Sequence, residues 1–264
     1  MIVSVHDVAM PTLSANGLDI EYIVDGEGPP LILLHAATSS AADDWNPLRA
    51  ALRKQFTMYL PDARSHAGTV WDTDDGWSYE MLVDDALAFA DGLGLERFHL
   101  GGLSMGASTA LAVAIRHPRR VRSAILAAVG VESEPRSSVA RKLMQPDKLE
   151  RDDPAWAQRL ADRHDPRQGP GAWRKLLVAI REHVGDATLP TPAELRRVRL
   201  PVLLAYGDRD PWVPLEQAVR LKRQLPDARL LISPGVGHVV VTERPAVFNQ
   251  AATAFLRLSS GPDA

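Results

Sequence analysis

The residues best suited to chemistry begin with Gly102-Leu103-Ser104-Met105-Gly106, a Gly-x-Ser-x-Gly run. A strand-like stretch over 97–103 precedes it and an Ala-rich helical pattern over 105–116 follows, so the serine falls at a strand-to-helix turn. Such a turn strains the central residue and crowds the two chain segments, so the positions two before and two after it must lack bulk. It lifts the serine Oγ above the sheet and aims the helix N-terminus at whatever binds there. A serine hydroxyl is a weak nucleophile until a base takes its proton, and that base needs an orienting acid. Both residue types stand downstream. Gly207-Asp208-Arg209-Asp210-Pro211 follows a strand-like run over 201–206, and Gly235-Val236-Gly237-His238 follows another over 229–232. Carboxylates and an imidazole therefore sit at strand C-terminal ends, the edge of a parallel sheet where α/β active sites assemble.

The elements that must position these groups follow from the hydrophobic pattern. Short apolar runs alternate with helical patterns along most of the chain, which predicts a largely parallel α/β sheet. Strands are expected at 18–24, 30–34, 58–60, 97–103, 121–129, 201–206 and 229–232. Helices are expected at 45–54, capped by Asp43 or Asp44, and at 78–93, 105–116, 214–224 and 245–258. Residues 131–197 differ: they contain no convincing strand and are dense in charge and proline. Asp153-Pro154 starts one helix there. Trp173, Leu176, Leu177, Ile180 and Val184 mark one face of a second, which begins near Gly171. The stretch exceeds a normal connection and reads as a helical lid (131–197) on a core made of 1–130 and 198–264, with two ordinary crossover helices as the alternative. Trp156 and Trp173 either line the pocket from this segment or pack it onto the core.

Taken together, these pieces resemble the α/β-hydrolase-fold serine hydrolases of the carboxylesterase and enol-lactonase kind. The order Ser104, Asp210, His238 is that fold's order. Further matching pieces are Leu31-Ile32-Leu33-Leu34-His35, Pro61-Asp62-Ala63-Arg64, His117-Pro118-Arg119-Arg120-Val121, Gly207-x-x-Asp210-x-x-x-Pro214, and Gly237-His238 followed by Glu243-Arg244-Pro245. The resemblance covers about 13–258 and implies a mostly parallel central sheet flanked by helices, with a lid inserted before the last two strands. It implies Ser104 as nucleophile, His238 as base and Asp210 as orienting acid, with the N–H groups of Ala37 and Met105 as the oxyanion hole. Asp208 then suits a turn former, and Glu132 is a remote alternative acid. Two departures stand out. The family's His-Gly is here His35-Ala36-Ala37-Thr38, which puts Ala36 beside the pocket, and its Arg-Gly-His-Gly is Arg64-Ser65-His66-Ala67-Gly68. Glycine reaches backbone angles closed to alanine, so these loops are where the structure has most to decide.

Composition narrows the classes. The chain has 264 residues, 45% hydrophobic and 24% charged, which is ordinary globular material. It has no cysteine, excluding disulfides, thiolate metal sites and a cysteine nucleophile. A net charge of −3 with no basic run argues against nucleic acid. No apolar stretch suits a membrane span or secretory signal, so a cytoplasmic protein is expected. Dinucleotide, phosphate-loop and His-Glu-x-x-His motifs are missing, so no cofactor and no metal are expected. The expected reaction is hydrolysis of a small carboxylic ester or lactone through an acyl-enzyme. C–C bond hydrolysis, perhydrolysis on the same triad, or ligand binding with little turnover are the alternatives. Of the remaining histidines, His35, His99 and His117 read as structural and His6 as surface, while His66, His164 and His183 are secondary substrate candidates.

Overall fold

A computed structural model describes residues 10–71, 76–185 and 189–259. In chain order its elements are β1 (Thr12–Ala15), β2 (Leu18–Asp25), β3 (Pro30–Leu34), α1 (Ala41–Leu52), β4 (Thr57–Pro61), α2 (Tyr79–Gly92), β5 (Phe98–Leu103), α3 (Met105–Arg116) and β6 (Val121–Ala127). Five helices follow: α4 (Arg136–Leu143), α5 (Pro146–Asp152), α6 (Pro154–Gln168), α7 (Ala172–His183) and α8 (Pro192–Leu195). The chain then closes with β7 (Val202–Gly207), α9 (Leu215–Gln224), β8 (Ala228–Ser233), α10 (Val240–Glu243) and α11 (Pro245–Ser259).

The eight strands form one sheet in the order β1-β2-β4-β3-β5-β6-β7-β8. The β1/β2 and β2/β4 pairs are antiparallel, and every pair from β4 to β8 is parallel. Central strands are apolar on both faces because helices cover both. Leu31 and Leu33 of β3 pack into the layer with Trp45 and Phe248, while Ile32 and Leu34 pack into the layer with Phe89 and Phe98. The strand order reverses between β3 and β5, with β4 on one side of β3 and β5 on the other, and Leu34 stands opposite Gly102 there. Loops leaving the C-terminal ends of these two strands diverge and open a crevice.

Several expected boundaries shift for local reasons. Helix α1 is capped by Ser40, in extended conformation with its side chain accepting from the Asp43 N–H, and not by Asp43 or Asp44. Asp44 is drawn inward instead, accepting from the Ala36 N–H at 2.7 Å. Strand β6 stops at Ala127 because Ala128 turns to φ 50°. The expectation missed β1, although Asn16-Gly17 supplies the two positive φ values (49° and 76°) of a tight hairpin turn. It also missed α4, α5, α8 and α10, each of eight residues or fewer and too short to show a period. Asp153 caps α6, accepting from the Trp156 N–H, as its placement before Pro154 predicts. Helices α4 to α7 contribute Met144, Leu160, Trp173, Leu177 and Ile180 to an apolar cluster that also takes in Trp77, Leu82 and Met105. His6 lies outside the described residues. Among the described residues no helix is long and apolar enough to cross a membrane.

Candidate active site

Ser104 sits between β5 and α3 with φ 52° and ψ −108°, a conformation that L side chains avoid. The steric argument for its flanking glycines is met directly. A Cβ on Gly102 would lie 2.2 Å from the Gly106 carbonyl oxygen, and one on Gly106 would lie 2.3 Å from the Leu34 carbonyl oxygen. The turn is pinned by the Ser104 N–H donating to Ala127 O at 2.8 Å.

The loops after β7 and β8 bring the acid and imidazole to this serine. His238 Nε2 is 2.8 Å from Ser104 Oγ, and His238 Nδ1 is 2.7 Å from Asp210 Oδ2. An ionised carboxylate only accepts, so Nδ1 carries the proton and Nε2 is left free to accept from the serine hydroxyl. The other Asp210 oxygen accepts from the Trp212 and Val213 N–H groups at 2.8 and 3.1 Å. Its side chain is fully buried, while that of His238 is 16% exposed. Asp208 points elsewhere: its Oδ1 accepts from the Gly235 and Val236 N–H groups, tying the two loops together. Gly207 allows the same approach, since a Cβ there would lie 2.1 Å from Gly237 O. Glu243 grips the His238 loop from below, accepting from the N–H groups of Gly237 and Val239 at 2.9 and 3.2 Å. Glu132 pairs with Arg220 on the surface and is not an alternative partner for His238.

The loop after β3 faces Ser104 from the other side of the crevice. Ala36 keeps an ordinary backbone, and the positive φ falls on Thr38 at 65°. His35 Nε2 accepts from the Ala63 N–H at 2.9 Å and its Nδ1 donates to Ala36 O at 2.7 Å. The Thr38 N–H donates to His66 Nε2 at 3.3 Å, and Arg163 Nη1 of α6 donates to Thr38 O. These bonds leave the Ala37 N–H, like the Met105 N–H at the start of α3, without a partner among the described residues. Where the family has glycine, Ser65 and Ala67 carry φ values of 67° and 39°, so here the strain sits on the substituted residues themselves, whereas in the first departure it falls on Thr38.

His66 and His164 do not border the crevice. They stack edge-on in a file with His35, at centroid distances of 4.9 and 5.5 Å, joining the β3 loop, the 62–69 loop and α6. His164 Nδ1 accepts from the Ala67 N–H at 3.0 Å. Burial lowers the pKa of all three, His164 to about 4, because a second ring proton would be dry and would face an N–H. Burial pushes nearby Asp62 up to about 6, partly offset by N–H bonds from Ala41 and Gly68. His183 stacks on Trp77 away from the crevice, and His99, bonded to Ser123, lies in the core.

The crevice encloses a cavity of about 380 Å³ bordered by Ser104, His238, Ala36, Ala37 and Met105. Trp156 borders it as well. Trp173 does not, which corrects one expectation: it is 4% exposed within the apolar cluster to which α4–α7 contribute, with the Arg174 guanidinium 5.3 Å from its ring. Four bordering residues carried no sequence signal of their own, namely Tyr79, Arg136, Arg163 and Trp212. The Trp212 ring lies 5.6 Å from that of His238. Among the described residues no group of three or more His, Asp or Glu side chains is placed to hold a metal ion.

Known proteins match this arrangement over most of its length. The chain is 28% identical over 261 residues to 2-hydroxy-6-oxo-2,4-heptadienoate hydrolase of Pseudomonas putida, covering 92% of this chain and 94% of that protein. Its fold superposes with a TM-score of 0.81 on a meta-cleavage product hydrolase of Pseudomonas fluorescens IP01, at 23% identity, covering 94% and 98% of the two chains. It superposes with a TM-score of 0.77 on the enol-lactonase of Burkholderia xenovorans LB400, at 24% identity, covering 94% and 100%. Residues 31–251 match the profile of the alpha/beta hydrolase family, and the chain belongs to that family.

Proposed function

We propose that the protein is a serine hydrolase that cleaves a small carboxylic ester or lactone through an acyl-enzyme. The observation that carries this reading is the continuous file of hydrogen bonds from Asp210 through His238 to Ser104, at 2.7 and 2.8 Å. His238 Nε2 takes the hydroxyl proton as Ser104 Oγ attacks the carbonyl carbon, and Asp210 stabilises the imidazolium that forms. The Ala37 and Met105 N–H groups hold the oxyanion of the tetrahedral intermediate. Collapse breaks the C–O bond, and the alkoxide leaves with the proton from His238. Water then attacks the acyl-Ser104 carbonyl with His238 again as base, releasing the acid and restoring the serine. The α4–α8 segment acts as the lid, contributing Trp156 to the substrate's surroundings.

A fluorophosphonate probe and a chromogenic short-chain ester test this together. The expected result is turnover of the ester and a single adduct on Ser104 by mass spectrometry, since an activated serine reacts where ordinary serines do not. Labelling elsewhere, or none in folded protein, rules the mechanism out. The relative named 2-hydroxy-6-oxo-2,4-heptadienoate hydrolase favours a second reading, C–C bond hydrolysis on the same three residues. Faster cleavage of a vinylogous diketone than of any ester would select it.

A further inference from the structure

Thr38 is the one residue in the loop after β3 with a positive φ, 65°, a left-handed angle that is exceptional for a β-branched side chain. The Ser39 N–H donates to Ala36 O at 3.2 Å and closes a turn with Ala37 and Thr38 at its centre. A positive φ at the third residue alone marks a type II turn, where glycine is the usual occupant. Threonine stays in that conformation only where its surroundings enforce it.

The enforcing bonds come from two directions. From the core, the Thr38 N–H donates to His66 Nε2 at 3.3 Å, and Asp44 accepts from the Ala36 N–H and the Ser39 hydroxyl, each at 2.7 Å. From α6, two adjacent residues converge on the Thr38 carbonyl. Arg163 Nη1 donates to Thr38 O, and His164 Nε2 donates to the same oxygen at 3.4 Å, its Nδ1 being taken by the Ala67 N–H. Arg163 is itself fixed, since its Nε donates to Asp43 Oδ2 at 2.6 Å, and its side chain is only 22% exposed. Of the four amides in 36–39, that of Ala37 alone has no partner among the described residues. The 36–37 peptide is trans, so its N–H points opposite to its C=O. That C=O is held by His35 Nδ1 and the Ser39 N–H, so closure of the turn fixes where the Ala37 N–H points.

We infer that Arg163 is a positioning residue: acting from the lid through the Thr38 carbonyl, it holds the turn that aims the Ala37 N–H at the oxyanion. This rests on the hydrolase reading above and adds to it a link between the lid and the oxyanion hole. A donor aimed at developing charge acts mainly in the transition state, so a shifted turn costs turnover and leaves substrate binding nearly intact. Arg163 spans two acceptors at once, Thr38 O and Asp43, a fork that lysine reproduces only in part.

The test measures hydrolysis of p-nitrophenyl acetate, normalised to folded protein, and inhibition by 1,1,1-trifluoro-2-butanone. Ser104 Oγ adds to the carbonyl carbon of this ketone as its proton passes to His238, leaving an oxyanion for the hole to hold. Arg163→Met should lower kcat roughly tenfold to a hundredfold, the scale of a displaced donor, with KM changed less than about threefold. Inhibition by the ketone should weaken by the same factor. Arg163→Lys should recover part of both losses, and if the methionine variant does not fold, the lysine variant carries the test with a smaller loss of the same kind. In a Thr38→Gly background, where the turn needs no enforcement, Arg163→Met should cost less than about threefold. A rise in KM alone would mean that Arg163 touches substrate. A lowered melting temperature with kcat and inhibition unchanged would mean that it only docks α6. Either overturns the inference, as does an equal loss in both backgrounds. If wild type neither cleaves the ester nor binds the ketone, the hydrolase reading fails and the role of Arg163 with it. If wild type does both and Arg163→Met does both equally well, that role fails and the hydrolase reading stands.

Discussion

On the strand-end side of the cavity Asp210 spends both carboxylate oxygens on His238 and two backbone N–H groups, and Asp208 and Glu243 each hold two more. On the helical side, Arg136 has an unpaired edge and its cavity-lining neighbours Leu143, Met144, Ile180 and Val184 offer no polar side chain. The first wall is held by directional bonds with few acceptable residues; the second is held by packing, which tolerates exchange of one apolar side chain for another. A wall of the first kind can fix the geometry of one reaction. A wall of the second kind can change substrate without disturbing it.

The sharpest way to break this comparison is to remove chemistry from the first wall alone. Ser104→Ala and His238→Ala should each lower kcat by about 10⁶, and the double variant little further, because the residues act as a unit. Additive losses, measured by active-site-normalised kinetics, would mean the two do not work on one proton. Next in size is a contrast within one loop. Asp210→Asn should lower kcat by roughly 10⁴ with KM nearly unchanged, since the wrong imidazole tautomer is then favoured. Asp208→Asn should cost far less in kcat and show as lowered melting temperature, because its oxygen holds backbone and not the imidazole.

The seam between the walls is the histidine file, and acid should loosen it first. His164 has its pKa lowered to about 4, so between about pH 6.5 and 4 the unfolded chain binds a proton that the folded chain refuses. The stability contributed by neutral His164 is complete above about pH 6.5 and is lost as pH falls toward 4. Asp62, pushed up to about 6, acts in the opposite sense over part of that window. His164→Asn, whose Oδ1 can still accept from the Ala67 N–H, removes the first effect and leaves the second. Its stability by urea unfolding should therefore fall less between about pH 7 and 5 than that of wild type. A parallel fall in the two proteins would show that His164 does not govern the seam.

How far the sequence could be read follows the same division. Gly102 and Gly106 announce Ser104 because backbone clashes at 2.2 and 2.3 Å admit no other residue; the first arises within the turn itself, the second against Leu34 of β3. Asp210 and His238 were legible because each follows a strand whose end the apolar run marks. The Ser40 cap was not, because Asp43 and Asp44 are equally good caps and only the tertiary bond from Ala36 draws Asp44 away. Arg136 was less legible still. Nothing local separates it from Arg141 five residues on, which pairs with Glu134 at the surface. Trp173 and Trp156 share helical surroundings in the sequence, and only the packing of α6 against α7 turns one to the cavity and the other inward.

The smallest effect concerns strain at the seam. Ala67 has φ 39° where the family has glycine, and a left-handed alanine costs roughly 1–2 kcal/mol. Glycine removes that cost but adds backbone entropy to the unfolded chain, worth about 0.5–1 kcal/mol. Ala67→Gly keeps the N–H bond to His164 and loses only a half-buried methyl group. It should therefore be neutral or stabilising by up to about 1 kcal/mol. The identical change at Ala110, fully buried in the middle of α3, relieves nothing, weakens the helix by about 1 kcal/mol and leaves a methyl-sized void in addition. Chemical denaturation of the two variants should thus give shifts of opposite sign, or a clear loss beside no change. Equal destabilisation would mean that the 62–69 loop relaxes its φ values without cost, and that the strain placed at Ala67 is absent from the folded protein in solution.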